Sequence, residues 1–384
     1  MTLSMDGAFK DLLKTAETAF KKLHENGKYS PKDLKNTLEY QNLMGETNAI
    51  FDKAVTDNVV DGTLLENLQN DVFMFSGLKT HAQLLEASRQ LLDANNKIKP
   101  FSDFYKDVVK TNETYNRQYL EAEYQFAVAS SQMANKWANF SDDYNLQYRT
   151  AGDDRVRDSH DKLRDTTLPK NDPFWDSFYA PNGWKCRCSV VEVLPEDYKV
   201  SDSKKAIAQG ELATSQIGKD GKNKLAIFRF NAGKDKVVFP PSHPYSKVQG
   251  AKEVRDVLNK IDFKTTRNEL IKKFVKGEVS VKRKELKKPI TFTGSGIKEA
   301  VNQPHEFIKE KNKMLLNIDE ILKNATYLGS KSDYKKNPMV TKIHIFETVI
   351  NDKKTYLISR ELKTGDVNFY SVSDNENVKK DIKK

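Results

Sequence analysis

The chain has 384 residues, 38% hydrophobic and 31% charged, with a formal net charge of +10 at pH 7. It lacks the run of about 18 or more apolar residues that a membrane span requires, and its opening, MTLSMDGAFKDLLKTAETAFKK, lacks the apolar core of a secretory signal, so neither is expected. Cys186 and Cys188, one residue apart, cannot easily staple a fold, which points to a reduced cytosolic setting and to metal binding; the positive charge favours polyanionic surroundings such as nucleic acid, although lysine-rich chains also carry it with no such role.

Residues 1–145 read as helical. Phe9, Leu12, Leu13, Ala16, Phe20 and Leu23 recur at three- and four-residue spacing on one helix face, and Asn26-Gly27 ends that helix. Ser30-Pro31 followed by Asp33 opens the next one. A second periodic segment runs from Leu64 to about Leu92, with breaks at Asp61-Gly62 and Gly77. In 113–140 the residues Tyr119, Ala122, Phe126, Ala129, Met133 and Trp137 trace a stripe suited to helix packing. This half has no catalytic constellation and reads as scaffold.

Residues 146–198 form a loop-rich core holding both cysteines, Trp175, Trp184 and His160. Asn171-Asp172-Pro173 and Ala180-Pro181-Asn182-Gly183 are turn signals, Ser159 or Asp158 can cap a short helix through His160, and Ser189–Val193 is a β run. His160, Cys186 and Cys188 are three soft ligands. In extended chain the two thiols share a side and can face one zinc ion, with Asp153 or water as a fourth ligand. The spacing differs from that of a zinc finger, and a reduced, buried Cys pair with a hydrogen-bonded His stands beside this reading. Either role is structural.

Here the residues carry a resemblance. A long helix ending QMANKWANF, then YRTAGDDRVRDSH, DPFWDSFYAPNGWKCRC and a following strand are similar to the MuF-like minor head, or head morphogenesis, proteins of tailed phages and prophages. The likeness covers residues 5–198 and is most specific over 110–193. It implies an internal capsid component present in few copies, located in the virion or in the host cytoplasm during assembly, with portal and capsid proteins and packaged DNA as partners.

Residues 199–288 read as a basic linker or helical connector. Pro240-Pro241-Ser242-His243-Pro244 is a rigid element, and Val254, Leu258, Ile261, Leu270, Ile271 and Phe274 suggest an amphipathic helix pair. The basic stretch 272–288 is either a solvated linker or a contact to DNA, RNA or the portal.

Residues 289–384 read as a small α+β domain, making the whole an α+β multidomain protein. Ile290–Thr293 is a short β run, Gly294-Ser295-Gly296 a tight turn, and 306–328 has helical spacing. After a lysine-rich loop around Tyr334, β segments at 339–350, 354–362 and 367–373 are joined by the hairpin connectors Asn351-Asp352 and Thr364-Gly365-Asp366. This order, with a His after a Gly-rich turn and an ending near Phe-Tyr-Ser-Val, resembles the phage-associated branch of the barnase–EndoU–colicin–RelE-like ribonucleases over 287–376. The resemblance implies a toxin-type, metal-independent ribonuclease acting on RNA, with an acidic immunity protein as partner. RNA cleavage needs a general base, a general acid and groups on the phosphate, and histidine suits proton transfer near neutrality. His305 is the first candidate for proton transfer. Alternation places Lys342, His344, Phe346 and Thr348 on one face, which makes His344 the second. Lys298, Thr293, Ser295, Tyr370 and Ser371 are candidates for phosphate contact. The alternative is a structural head protein whose C-terminal domain binds nucleic acid or a partner without catalysis.

Overall fold

The computed structural model describes residues 3–382 apart from 61, 306, 334–336 and 351–352, and it divides into two units, Met1–Leu258 and Asn259–Lys384. The first unit opens with helices α1 (Leu3–Asn26), α2 (Asp33–Asn36), α3 (Leu38–Thr56), α4 (Gly62–Ser88), α5 (Phe101–Glu113) and α6 (Leu120–Asn139). A π-helical turn over Thr114–Tyr119 joins the last two. The α1 stripe buries Leu12, Ala16, Phe20 and Leu23, and Gly27 ends the helix at φ +67°, a left-handed position that suits glycine. Helix α4 runs straight through Gly77, where a break was expected. A Cβ there would lie 2.4 Å from Leu258 Cδ1, so the glycine admits a neighbouring helix and does not end its own. On α6 the buried face is centred on Glu123, Phe126, Ala127, Ser130, Met133 and Ala134, while Tyr119 is exposed.

Two charges sit inside this helical core. Lys79 Nζ donates to Glu123 Oε2 at 2.7 Å and to the Tyr115 carbonyl at 2.6 Å, and the Tyr245 hydroxyl donates to Glu123 Oε1 at 2.8 Å. The lysine side chain is fully buried and the glutamate 4% exposed, so each charge is held by the other and by these hydrogen bonds.

The loop-rich block follows as β1 (Asn145–Arg149), α7 (Asp158–Asp161), β2 (Thr167–Pro169), α8 (Phe174–Phe178) and β3 (Ser189–Val193). Its strands form an antiparallel sheet in the order β2-β1-β3. Leu146, Tyr148, Leu163, Leu168, Phe174, Trp175, Phe178 and Val190 bury together with both cysteines. The short helix α7 starts at Arg157 with no side-chain cap, so neither Ser159 nor Asp158 plays that part.

The span 199–288, expected as a basic linker or helical connector, carries helices. Helix α9 (Ser203–Ala213), capped by Asp202, buries Ala206 and Ala213 in the cysteine-containing core. After α10 (Ala232–Asp235), Phe239 stacks on Phe75 with ring centroids 3.5 Å apart. Asp71 Oδ2 accepts from the backbone N–H of Val238 and Phe239, which pins this returning segment to α4. Helix α11 (Ala251–Leu270) begins with Val254 and Leu258 buried; the Ile261 side chain lies outside the described residues.

In the second unit, a π-helical turn over Ile271–Val275 buries Phe274 and leads into β4 (Ser280–Val281) and β5 (Ile290–Phe292). Then come α12 (Gly294–Asn302), α13 (Ile308–Met314), α14 (Ile318–Asn324), β6 (Thr326–Lys331), β7 (Val340–Ile350), β8 (Lys353–Leu362) and β9 (Val367–Ser373). The sheet order is β4-β5-β9-β8-β7-β6, with β5 and β9 parallel and the other neighbours antiparallel. Gly294-Ser295-Gly296 is the first turn of α12, capped by Thr293, and is no hairpin turn. The helical run expected over 306–328 is interrupted and gives way to strand β6. Tyr334 and Asn351-Asp352 lie outside the described residues, whereas the 364–366 connector is a turn with Gly365 at φ +77°. One sheet face packs Phe346, Leu357 and Phe369 against the helices. The other packs Ile343, Ile345 and Tyr356 against Val378 and Ile382.

His243 sits on the returning segment, edge-on to Phe75, with its Nδ1 accepting from the Tyr245 N–H. Burial, with a smaller contribution from the Lys79 ammonium, pulls its pKa from 6.5 down to about 3. The unfolded chain therefore takes up this proton before the folded one. The stability contribution is complete above pH 6.5 and is lost as pH falls toward 3. We expect the urea midpoint to fall between neutral pH and values below 6.5, with a shallower fall in His243→Asn. An unchanged slope in the variant would place the titrating group elsewhere.

Candidate metal centre

Three elements bring His160, Cys186 and Cys188 together. The single turn of α7 carries the histidine. A turn closed by Cys186 N–H to the Gly183 carbonyl, with Lys185 at φ +59°, then directs the chain into β3. Cys188 immediately precedes that strand. His160 Nδ1 lies 3.6 Å from Cys186 Sγ and 3.7 Å from Cys188 Sγ. All three ligand atoms fall within 4.8 Å of one another, and all three residues are buried. Beneath them, Tyr148 is fully buried, and its hydroxyl donates to Asn182 Oδ1 at 2.8 Å.

A cavity of about 20 Å³ borders the cluster, room for roughly one water-sized ligand. Arg155, Arg157, Lys185 and Arg187 also line it, so the dithiol faces a cationic mouth. The hydrogen bond from Cys188, and after it the contact with His160, hold the Cys186 thiol well below its ordinary range. Cys188, as donor and itself buried, is pushed up.

Asp153 does not join this group. The Arg187 guanidinium grips its carboxylate, with one N–H···O distance of 2.7 Å, and Arg155 adds a contact at 3.2 Å. Arg187, and then Arg155, hold the Asp153 carboxyl below its ordinary range. Its oxygens are thus committed to guanidinium groups, and among the described residues the ligand cluster consists of the histidine and the two cysteines.

The two histidines considered for RNA chemistry hold different partners. Thr293 caps α12 by accepting from the Gly296 N–H and meets Ser295 Oγ at 3.1 Å, while Lys298 is exposed on the same helix. His305 accepts from the Phe307 N–H at Nδ1 and meets Thr355 Oγ1 at 3.0 Å through Nε2, which ties a turn to β8. His344 lies between the Tyr327 hydroxyl, 3.0 Å from Nδ1, and Glu361 Oε2, 2.9 Å from Nε2. Thr355 and Ser359, the latter paired with His344, stand four residues apart on β8, about 13 Å at ~3.3 Å per residue. Ser371 pairs with Ile358 on the opposite sheet face, and the Tyr370 ring stacks on Arg360. Residue-by-residue reading missed Tyr327 and Glu361 as partners of His344. The side chains that alternate with the buried apolar ones on β7 and β8 were the available signal.

Residues 49–191 match the family described as Phage Mu protein F like protein, and residues 258–370 match Large polyvalent protein-associated domain 3. A stretch of 44 residues is 43% identical to the Putative capsid assembly protein F of Escherichia phage Mu, covering 12% of this chain and 10% of that protein. Another of 70 residues is 34% identical to the Mu-like prophage FluMu F protein of Haemophilus influenzae, covering 18% of this chain and 17% of that one. The chain thus spans less than a fifth of the length of either relative. No solved structure matches.

Tyr148→Phe removes the donor to a fully buried Asn182 oxygen and leaves that acceptor unpaired. We expect a loss of about 1–3 kcal/mol in urea denaturation. A neutral result would mean that Asn182 finds another donor.

Proposed function

We propose that this chain, which carries a Mu F-like domain over residues 49–191, is a head-assembly protein of a tailed phage or prophage. It is a minor component that works with portal and capsid proteins around the packaged DNA, in the virion or in the host cytoplasm during assembly. The observation that carries this reading is the family match itself, which spans the helices from α3 to α6 and the sheet that follows them. The names of the two similar proteins, both F proteins and one a putative capsid assembly protein, support it. No helix of the described residues is long and apolar enough to cross a membrane. Mass spectrometry of purified heads should detect the chain at low copy number, and an amber mutation in its gene should deplete DNA-filled heads. Absence from the heads together with unchanged head yield would overturn the reading.

A second reading concerns the C-terminal unit, as a metal-independent ribonuclease paired with an acidic immunity protein. The specific observation in its favour is the ring of His344, oriented between Tyr327 and a partly exposed Glu361. Glu361, at Nε2, would orient the ring and support its imidazolium. The full chain is incubated with total RNA in EDTA, as wild type, His344→Ala and His305→Ala. The nuclease reading expects cleavage by the wild type that is lost in His305→Ala, in His344→Ala or in both, and equal cleavage by all three would overturn it. If the folded protein cleaves no RNA, this reading fails and the head-assembly reading stands unaffected.

A further inference from the structure

We propose that His160, Cys186 and Cys188 hold one soft divalent ion of the zinc class, with a solvent molecule completing its coordination. The reading goes beyond the head-assembly role and does not depend on it. It starts from distances. An ion bound tetrahedrally at ~2.3 Å from sulfur and ~2.0–2.1 Å from nitrogen sets those two atoms about 3.6 Å apart. The histidine nitrogen is 3.6 and 3.7 Å from the two sulfurs. An ion between the three atoms accounts for the near-equal distances from the one nitrogen to both sulfurs.

The surroundings agree. His160 is 2% exposed, and both cysteines are buried with it. The adjoining cavity has room for one water-sized ligand beside the three donors. The two-sulfur, one-nitrogen donor set selects zinc-type ions over magnesium or calcium, which prefer oxygen. Both sulfurs bind as thiolates, and their two negative charges neutralise the two positive charges of the ion. The centre joins α7 to the turn before β3, across a loop with little regular structure of its own.

The test uses the full chain, purified under reducing conditions without chelator. Elemental analysis should find one zinc per chain. After chelation, cobalt(II) alone should give the intense visible bands and sulfur charge-transfer absorption of a tetrahedral thiolate site. Cys186→Ser and Cys188→Ser should each weaken cobalt binding by at least about tenfold, whereas Asp153→Ala should leave it unchanged. Because the cobalt spectrum is read on the wild-type protein, a variant that fails to fold does not decide the matter. A metal-free protein with only a weak octahedral cobalt spectrum would overturn the proposal, and so would an isolated protein carrying a Cys186–Cys188 disulfide that takes up no metal after reduction.

Discussion

The first unit is organised by the need to keep Lys79 and Glu123 charged where water cannot reach them. An ammonium with no solvent exposure must find its partners within the protein, and the ones it finds come from several parts of the chain. Lys79 lies on α4, Glu123 on α6, Tyr115 on the π-helical turn and Tyr245 on the returning segment. Sliding any one of these by a residue would leave a buried charge unpaired. The helices are thereby fixed in register, and the loop-rich block beside α6 inherits that rigidity through Met133, which packs into the same core as both cysteines.

Legibility in the sequence followed the range of the interaction. The α1 stripe, its glycine stop and the long strands β7, β8 and β9 were readable because helix and strand periodicity are local. So were the rare residues around His160, Cys186 and Cys188. Gly77 was misread because its reason is tertiary: the space it leaves belongs to Leu258, far along the chain. The segment from 199 to 258 hid its fold for the same reason. Its aromatic anchors show no period, and they pack on helices made more than a hundred residues earlier. Strand β6 follows α14 without a glycine or proline to mark the change.

One irregularity in the second unit changes which side chains share a sheet face. Alternation correctly grouped Lys342, His344, Phe346 and Thr348, because β7 is regular there. On β9 the register shifts, with Ile358 opposite Ser371 and Ser359 opposite Phe369, so Tyr370 is an extra residue. A count by twos through that point assigns the wrong face. His305 is held from two sides, by the Phe307 N–H of its own turn and by Thr355 on β8.

The closing contacts of the first unit join residues far apart in sequence, among them His81 with Gln249 and Glu123 with Tyr245. During synthesis the chain emerges in order, so the two thiols exist before the segments that seal them. Ala206, Ala213 and Phe228, which pack on the thiol core or on Trp184 beside it, are translated only afterwards. The stretch from Cys188 to Tyr245 takes several seconds to make at about 5–20 residues per second. For that interval the segments that cover the two thiols are not yet complete, so the cover over this pair is among the last parts of the first unit's core to be made.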